Sequence, residues 1–258
     1  MYLRSSHSPV EILFSSLASS DISHGFTTAR NGFSSGAYGR GNLSWRVGDD
    51  PSAVQRNWDG LLGSLGIAAI SLPLQVHGIH SAYVGAPLEG EVIEADALWT
   101  DQPGVAIGVL TADCMPILLE LRDQSDQLIA VAAVHAGWKG ALGNILAACF
   151  GEVSRQWPQV YAPACKAFLG PSICGNCYEV GQDLAEKFSA SGYGGAVQWQ
   201  NGNSLLDLWK VAVLQLSSLG FLSGNIDIAA ECTKCCAGYF SYRRCSDTGR
   251  ELAFIWMK

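Results

Sequence analysis

Charge is scarce in this chain and nowhere concentrated. Only 15% of its 258 residues are charged, the net charge is -7, and no run of Lys or Arg is longer than the pair Arg243, Arg244. Nucleic acids and anionic membrane surfaces, which are held by clustered cations, are therefore not expected partners. No stretch approaches the roughly 18 apolar residues of a membrane span. The opening segment MYLRSSHSPVEILFSSLASSDISHG lacks the basic region and sustained apolar core of a secretion signal, so a cytoplasmic location is expected. Repeats, low-complexity tracts and Pro- or Ser-rich linkers are missing too. One domain over 1–258 is the expectation, with residues 1–20 frayed and the chain a monomer or small homo-oligomer.

Histidine is also sparse, with five in the chain, whereas cysteine is plentiful at nine. An odd cysteine count in a chain this long fits a complete disulfide framework poorly, so thiols, metal ligands or nucleophiles are expected. Two C-x-x-C pairs, Cys174 with Cys177 and Cys232 with Cys235, imitate a four-thiolate zinc site. Residues 178 to 231 separate them, whereas zinc ribbons bring their knuckles within about 20 residues. Spacing alone argues against a shared metal, and Cys236 adds no further pattern.

With 48% hydrophobic residues the chain can bury a sizeable core. DDPSAVQRNWDGLLGSLG, from Asp49, begins with acidic residues and a proline, shows helical apolar spacing and ends in glycine, which predicts a helix. The apolar segment 104–121 predicts one or two buried strands, interrupted at Cys114 and Pro116. A strand over 128–135 then runs into VHAGWKG and a helix to about 156. KAFLGPSI, NIDIAA and ELAFIWM read as strands; GQDLAEKF and SLLDLWKVAVLQLSSLG read as helices. The irregular alternation predicts an α/β class: a single domain with mixed sheet or sheets flanked by helices, layered α/β/β/α-like.

Three borderline or soft metal ligands fall at similar positions. His77 in LQVHG and His135 in VHAGWKG each follow an apolar run and precede a small residue, and Cys114 sits where a buried run breaks. A lone strand-end histidine is most simply satisfied by one backbone hydrogen bond. A His, Cys, His set, if its members converge, leaves tetrahedral zinc one open position, as catalytic sites do. His7 lies in the segment expected to fray, and His24 and His80 remain outside the set.

LQVHG, TADCMPILL, VHAGWKG, LGPSICGNCYEVG, LLDLW, and ECTKC followed by FSYRR and TGR resemble, in that order, the motifs of the bacterial laccase-domain family. It is also called the polyphenol oxidase or purine nucleoside phosphorylase family, and the resemblance runs from about Asn42 to the C-terminus. It implies a single-domain α/β fold, zinc on His77, Cys114 and His135, and purine nucleosides processed beside the metal. The implied activities are phosphorolysis of adenosine, inosine, guanosine and methylthioadenosine, and deamination of adenosine. Three departures stand out: Lys139 replaces the usual arginine after the tryptophan, Asn176 replaces a cysteine, and Trp58 stands where an arginine is expected.

Phosphate must be held by cations, and Lys139, Arg243, Arg244 and Arg250 are the candidates. Trp138 and Tyr242 are placed as further substrate contacts. Asp113 and Glu179 are the proton-carrier candidates beside Cys114 and His135, with a supporting hydrogen bond as the alternative role for Asp113. Copper is the second metal to consider, since His77, Cys114 and His135 with Met115 nearby look superficially like a blue-copper set. A multinuclear copper oxidase needs many imidazoles, commonly as His-X-His pairs, which this chain lacks. A cysteine hydrolase using Cys114 with His135 as base, editing a cell-wall precursor, is a further alternative.

Overall fold

The computed structural model describes residues 1–5 and 9–258; His7 lies outside the described residues. Its strands are β1 (Tyr2–Ser5), β2 (Ile12–Ser15), β3 (Ile22–Thr27), β4 (Ser81–Tyr83), β5 (Ala97–Thr100), β6 (Ile107–Thr111) and β7 (Met115–Arg122), followed by β8 (Leu128–Ala136), β9 (Lys166–Leu169), β10 (Glu179–Gly181), β11 (Val197–Trp199), β12 (Asn203–Leu206), β13 (Ile226–Ile228) and β14 (Glu251–Met257). The α-helices are α1 (Pro51–Leu65), α2 (Trp138–Leu142), α3 (Ile145–Gln156), α4 (Gln182–Phe188) and α5 (Leu208–Ser218).

Two sheets form the centre of a single α/β domain. One is antiparallel, in the order β1-β2-β3-β14-β6. The other is mixed, in the order β13-β9-β7-β8-β5-β4, with its two outer pairings parallel. A small three-stranded sheet, β10-β12-β11, stands apart. Side-chain alternation along each strand then builds the layers. On β8, Ala130, Ala132, Val134 and Ala136 face α3 and α5, while Val131 and Ala133 face the antiparallel sheet. On β14, Ala253, Ile255 and Met257 fill the space between sheets, while Leu252, Phe254 and Trp256 pack on α1. The α/β/β/α layering is thus set by period-two patterns on strands that are apolar on both faces.

Helix α1 begins as its sequence signals require. The Asp50 side chain accepts the Ser52 N–H at 2.9 Å, Pro51 occupies the first turn, and Gly66 closes the helix at φ 68°. Four expectations need correction. Residues 1–20 are not frayed throughout, because β1 and β2 pair with each other and β2 pairs with β3. Pro116 does not interrupt its strand; it is the second residue of β7, opposite His135, and its carbonyl accepts from Gly170 N–H at 2.9 Å. The helix expected from VHAGWKG onward is broken at Asn144, whose φ of 58° separates α2 from α3 and whose side chain caps the latter. SLLDLWKVAVLQLSSLG divides at Asp207, which caps α5 through Lys210 N–H at 3.1 Å, so that Ser204, Leu205 and Leu206 belong to β12.

Candidate active site and metal centre

His77, Cys114 and His135 arrive from three separate segments, and their ligand atoms lie within 4.8 Å of one another. His135 is near the end of β8 and buried. Cys114 occupies the corner between β6 and β7, where Asp113 takes φ 89° to turn the chain. His77 sits on a loop at φ 58°, an uncommon backbone state for this residue. That conformation is held from outside the ligand set: buried Asp96 accepts the N–H groups of Val76, His77 and Gly78 at 3.3, 3.0 and 2.6 Å. The same carboxylate meets His135 Nδ1 at 2.8 Å. One acid therefore orients both histidines. Asp96 escaped the sequence reading, although its signal was present: a single carboxylate amid alanines in EADALWT, directly before a buried strand.

Electrostatics make Cys114 a ready ligand or nucleophile. Burial by itself would raise its thiol, but the charge of His135 and hydrogen bonds from His135 and His77 outweigh burial and bring it from 9.0 down to about 6. Burial would lower the His135 imidazole, but the Cys114 charge, followed by the Asp96 hydrogen bond, raises it instead. Without a metal the two form a thiolate and imidazolium pair. One thiolate and two imidazoles at this separation fit zinc, with a fourth position open to the cavity.

Gly137 shows why the VHAGWKG corner carries a glycine. Its φ of -69° and ψ of 174° suit any residue, so the expected sharp glycine turn is absent. Space is the constraint: a Cβ there would stand 3.1 Å from His77 Cδ2 and 3.2 Å from Cys114 Sγ.

The three ligands face a cavity of about 620 Å³. Trp138 and Tyr242 line it as expected, together with Trp45, Tyr178 and the guanidinium-bearing Arg46, Arg243 and Arg250. Arg243 lies 4.8 Å over the Tyr178 ring and donates to the Glu179 carbonyl at 2.7 Å. Asp113 is present but engaged, accepting Thr233 Oγ1 at 2.6 Å and Arg243 N–H at 2.7 Å. That arrangement gives it the supporting role rather than proton transfer.

Other expected residues lie elsewhere. Lys139 is exposed, its ammonium 5.6 Å from the Trp138 ring centroid, and it does not line the cavity. Arg244 turns inward on its own loop, where it donates to the carbonyls of Thr233 at 2.6 Å and Lys234 at 3.1 Å, and to that of Tyr239. Glu179 is exposed, accepts from Asn203, and lines a neighbouring concavity that also touches Trp138 and Arg243. Position 58 is core: Trp58 packs in the α1 layer and donates to the Leu43 carbonyl at 2.9 Å, so an arginine missing there removes nothing from this cavity.

Fold and site together define a chain with a His, Cys, His metal-ligand set on the floor of an aromatic, arginine-rimmed cavity. The chain belongs to the family described as multi-copper polyphenol oxidoreductase laccase, whose model matches residues 23–258. Among its relatives, a protein of Deinococcus radiodurans named purine nucleoside phosphorylase is 36% identical over 237 residues, covering 91% of this chain and 88% of that one. Another of that name from Haemophilus influenzae is 33% identical over 245 residues, covering 91% and 94%. The crystal structure of Neisseria meningitidis protein NMB0706 has 31% identity and a TM-score of 0.84, covering 100% of this chain and 99% of that one. YlmD from Geobacillus stearothermophilus has 26% identity and a TM-score of 0.86, covering 100% and 98%. The resemblance read from the motifs is borne out at the level of the family. No described helix is long and apolar enough to cross a membrane.

Proposed function

We propose that this chain is a zinc-dependent purine nucleoside phosphorylase that also deaminates adenosine, with inosine, guanosine and methylthioadenosine as further phosphorolysis substrates. The observation that carries the reading is the convergence of His77, Cys114 and His135 on a cavity walled by aromatic rings and rimmed by arginines. Both relatives named above bear the phosphorylase name. Tyr178, Tyr242 and Trp138 offer faces on which a purine stacks. Arg46, Arg243 and Arg250 offer the positive charge that a phosphate beneath the ribose requires. Zinc, when bound, supplies Lewis acidity and activates water near neutral pH. His77 and His135, oriented by Asp96, and Cys114 hold it; the arginines select the anion, and the aromatic walls exclude bulk water from the base.

Multinuclear copper chemistry does not suit the available donors. Among the described residues the only metal-capable groups are this triad and a set of four cysteines. His24 is stacked on Phe168 and accepts Ser15 N–H at 2.9 Å, while His80 Nδ1 contacts the Glu94 carbonyl at 2.7 Å. The hydrolase alternative retains one specific support, the run Cys114, His135, Asp96, in which a thiolate, a base and an orienting carboxylate follow one another.

The test is incubation of zinc-loaded protein with adenosine or inosine, with and without phosphate, read by product chromatography. Free base and ribose phosphate formed only with phosphate support phosphorolysis, and inosine formed from adenosine supports deamination. Absence of both products overturns the reading. Hydrolase activity surviving chelation but abolished by iodoacetamide would favour the cysteine alternative.

A further inference from the structure

The two C-x-x-C pairs, far apart in sequence, are joined by the fold. Ser172 forms a parallel bridge with Cys232. Ser172 N–H donates to the Glu231 carbonyl at 3.3 Å, and Thr233 N–H donates to the Ser172 carbonyl at 3.1 Å. Each pair then closes into a tight turn: Cys177 N–H reaches the Cys174 carbonyl at 2.9 Å, and Cys236 N–H reaches the Cys232 carbonyl at 2.9 Å. The sulfurs of Cys174, Cys177, Cys232 and Cys235 all lie within 4.8 Å of one another, with Cys177 and Cys235 at 3.2 Å. Tetrahedral zinc with bonds of about 2.3 Å sets its sulfurs about 3.8 Å apart, inside this span.

We propose that these four cysteines form a zinc site separate from the His77, Cys114, His135 centre: a closed four-thiolate clamp joining the two loops that wall the nucleoside cavity. The donor set is complete in itself, leaving no position for substrate. Binding exchanges the thiol protons for the metal, and the surroundings receive the resulting negative charge. Cys232 Sγ accepts the N–H groups of Cys174 at 3.3 Å and Cys235 at 3.4 Å. The Arg244 guanidinium braces the same loop by donating to the carbonyls of Thr233, Lys234 and Cys236.

The clamp reaches the cavity through named contacts. Its first loop carries Ile173 and Tyr178, and its second leads to Tyr242 and Arg243, all of which line the cavity. Asp113 ties both loops together, accepting Ile173 N–H at its carbonyl at 3.0 Å and Thr233 Oγ1 and Arg243 N–H at its carboxylate. Sequence spacing argued against a shared metal because a ribbon needs short loops. Here a β-bridge supplies the closeness instead.

The experiment uses full-length protein from zinc-supplemented cells, purified with reductant, with metal content measured by mass spectrometry. Wild type should carry one more zinc per chain than Cys177→Ser or Cys235→Ser, whereas Cys236→Ser, outside the four-sulfur set, should match wild type. Cys114→Ala removes the other centre and leaves these four sulfurs intact, so its cobalt-substituted form should still show intense thiolate-to-metal charge-transfer absorption. This spectrum is independent of any nucleoside activity and remains readable if the serine variants misfold. Unchanged zinc in Cys177→Ser and Cys235→Ser would overturn the site. Absent cobalt–thiolate absorption in Cys114→Ala would do the same, as would disulfide-linked 174–177 and 232–235 peptides in protein purified under reductant.

Discussion

Asp96 and His135 are joined at both backbone and side chain: His135 N–H donates to the Asp96 carbonyl at 2.7 Å, and His135 Nδ1 meets Asp96 Oδ1 at 2.8 Å. The ring is thereby fixed in the tautomer that leaves Nε2 for the metal. Because Asp96 also takes the N–H groups of His77 and Gly78, removing its charge disturbs two ligands at once. Asp96→Asn turns an amide donor toward one of these partners, so zinc affinity should fall by about 10–100-fold. Competition with a fluorescent chelator checks this, and unchanged affinity would show that the loop alone positions His77.

Removal of the ligands themselves should be more severe. His77→Ala, Cys114→Ala and His135→Ala should each lose the metal of this centre, since two remaining ligands do not close a stable site. Metal analysis of the purified variants decides it. Retention of wild-type zinc by all three would remove the triad from the chemistry.

The Cys114 thiol sets the pH dependence. Its proton is lost at about 6 in the metal-free fold, lower than the ordinary 9.0, so the thiolate persists above about pH 6 and disappears as pH falls through it. Iodoacetamide should therefore alkylate the metal-free protein with a rate rising through about pH 6. Zinc retention should weaken over the same acid side. His135→Ala removes the cation that holds the thiol down and should move the alkylation midpoint upward; an unmoved midpoint would assign the effect to another group.

Gly137→Ala tests close approach rather than backbone freedom. The added methyl meets His77 Cδ2 at 3.1 Å and Cys114 Sγ at 3.2 Å, tighter than ordinary contact, while φ of -69° costs nothing. Zinc affinity should drop while the midpoint of thermal unfolding of the metal-free protein stays near wild type. A large unfolding shift without loss of zinc would reverse the assignment.

Much of this arrangement was legible in the chain. Period-two apolar strands, the Asp50 cap with Pro51, and the repeated apolar-His-small pattern indicated the layers and the triad. What stayed hidden was long-range. Asp96 looks like one more carboxylate until β5 places it beside β8, thirty-nine positions away. The adjacent arginines 243 and 244 cannot be told apart by type, yet the loop sends one into the cavity and turns the other onto its own carbonyls. Lys139 was misplaced because α2 is only five residues long and leaves its side chain over Trp138, facing solvent.

Those cations furnish the last prediction. Arg243 lines the cavity, with its backbone fixed by Asp113 and its guanidinium over Tyr178, so it is positioned to take an anion. A charge-assisted hydrogen bond contributes about 1.5–3 kcal/mol, so Arg243→Ala should raise the phosphate KM of phosphorolysis by about 10–100-fold. Deamination, which uses water, should change much less. Arg244→Ala should instead leave the phosphate KM near wild type and lower the unfolding midpoint, because the carbonyls of Thr233, Lys234 and Tyr239 lose their donor. Lys139→Glu reverses a charge that faces solvent and should alter neither zinc content nor phosphate dependence. Steady-state kinetics in varied phosphate, with metal analysis of each variant, separates the three. A phosphate KM that rises for Arg244→Ala or Lys139→Glu but not for Arg243→Ala would place the anion outside this cavity.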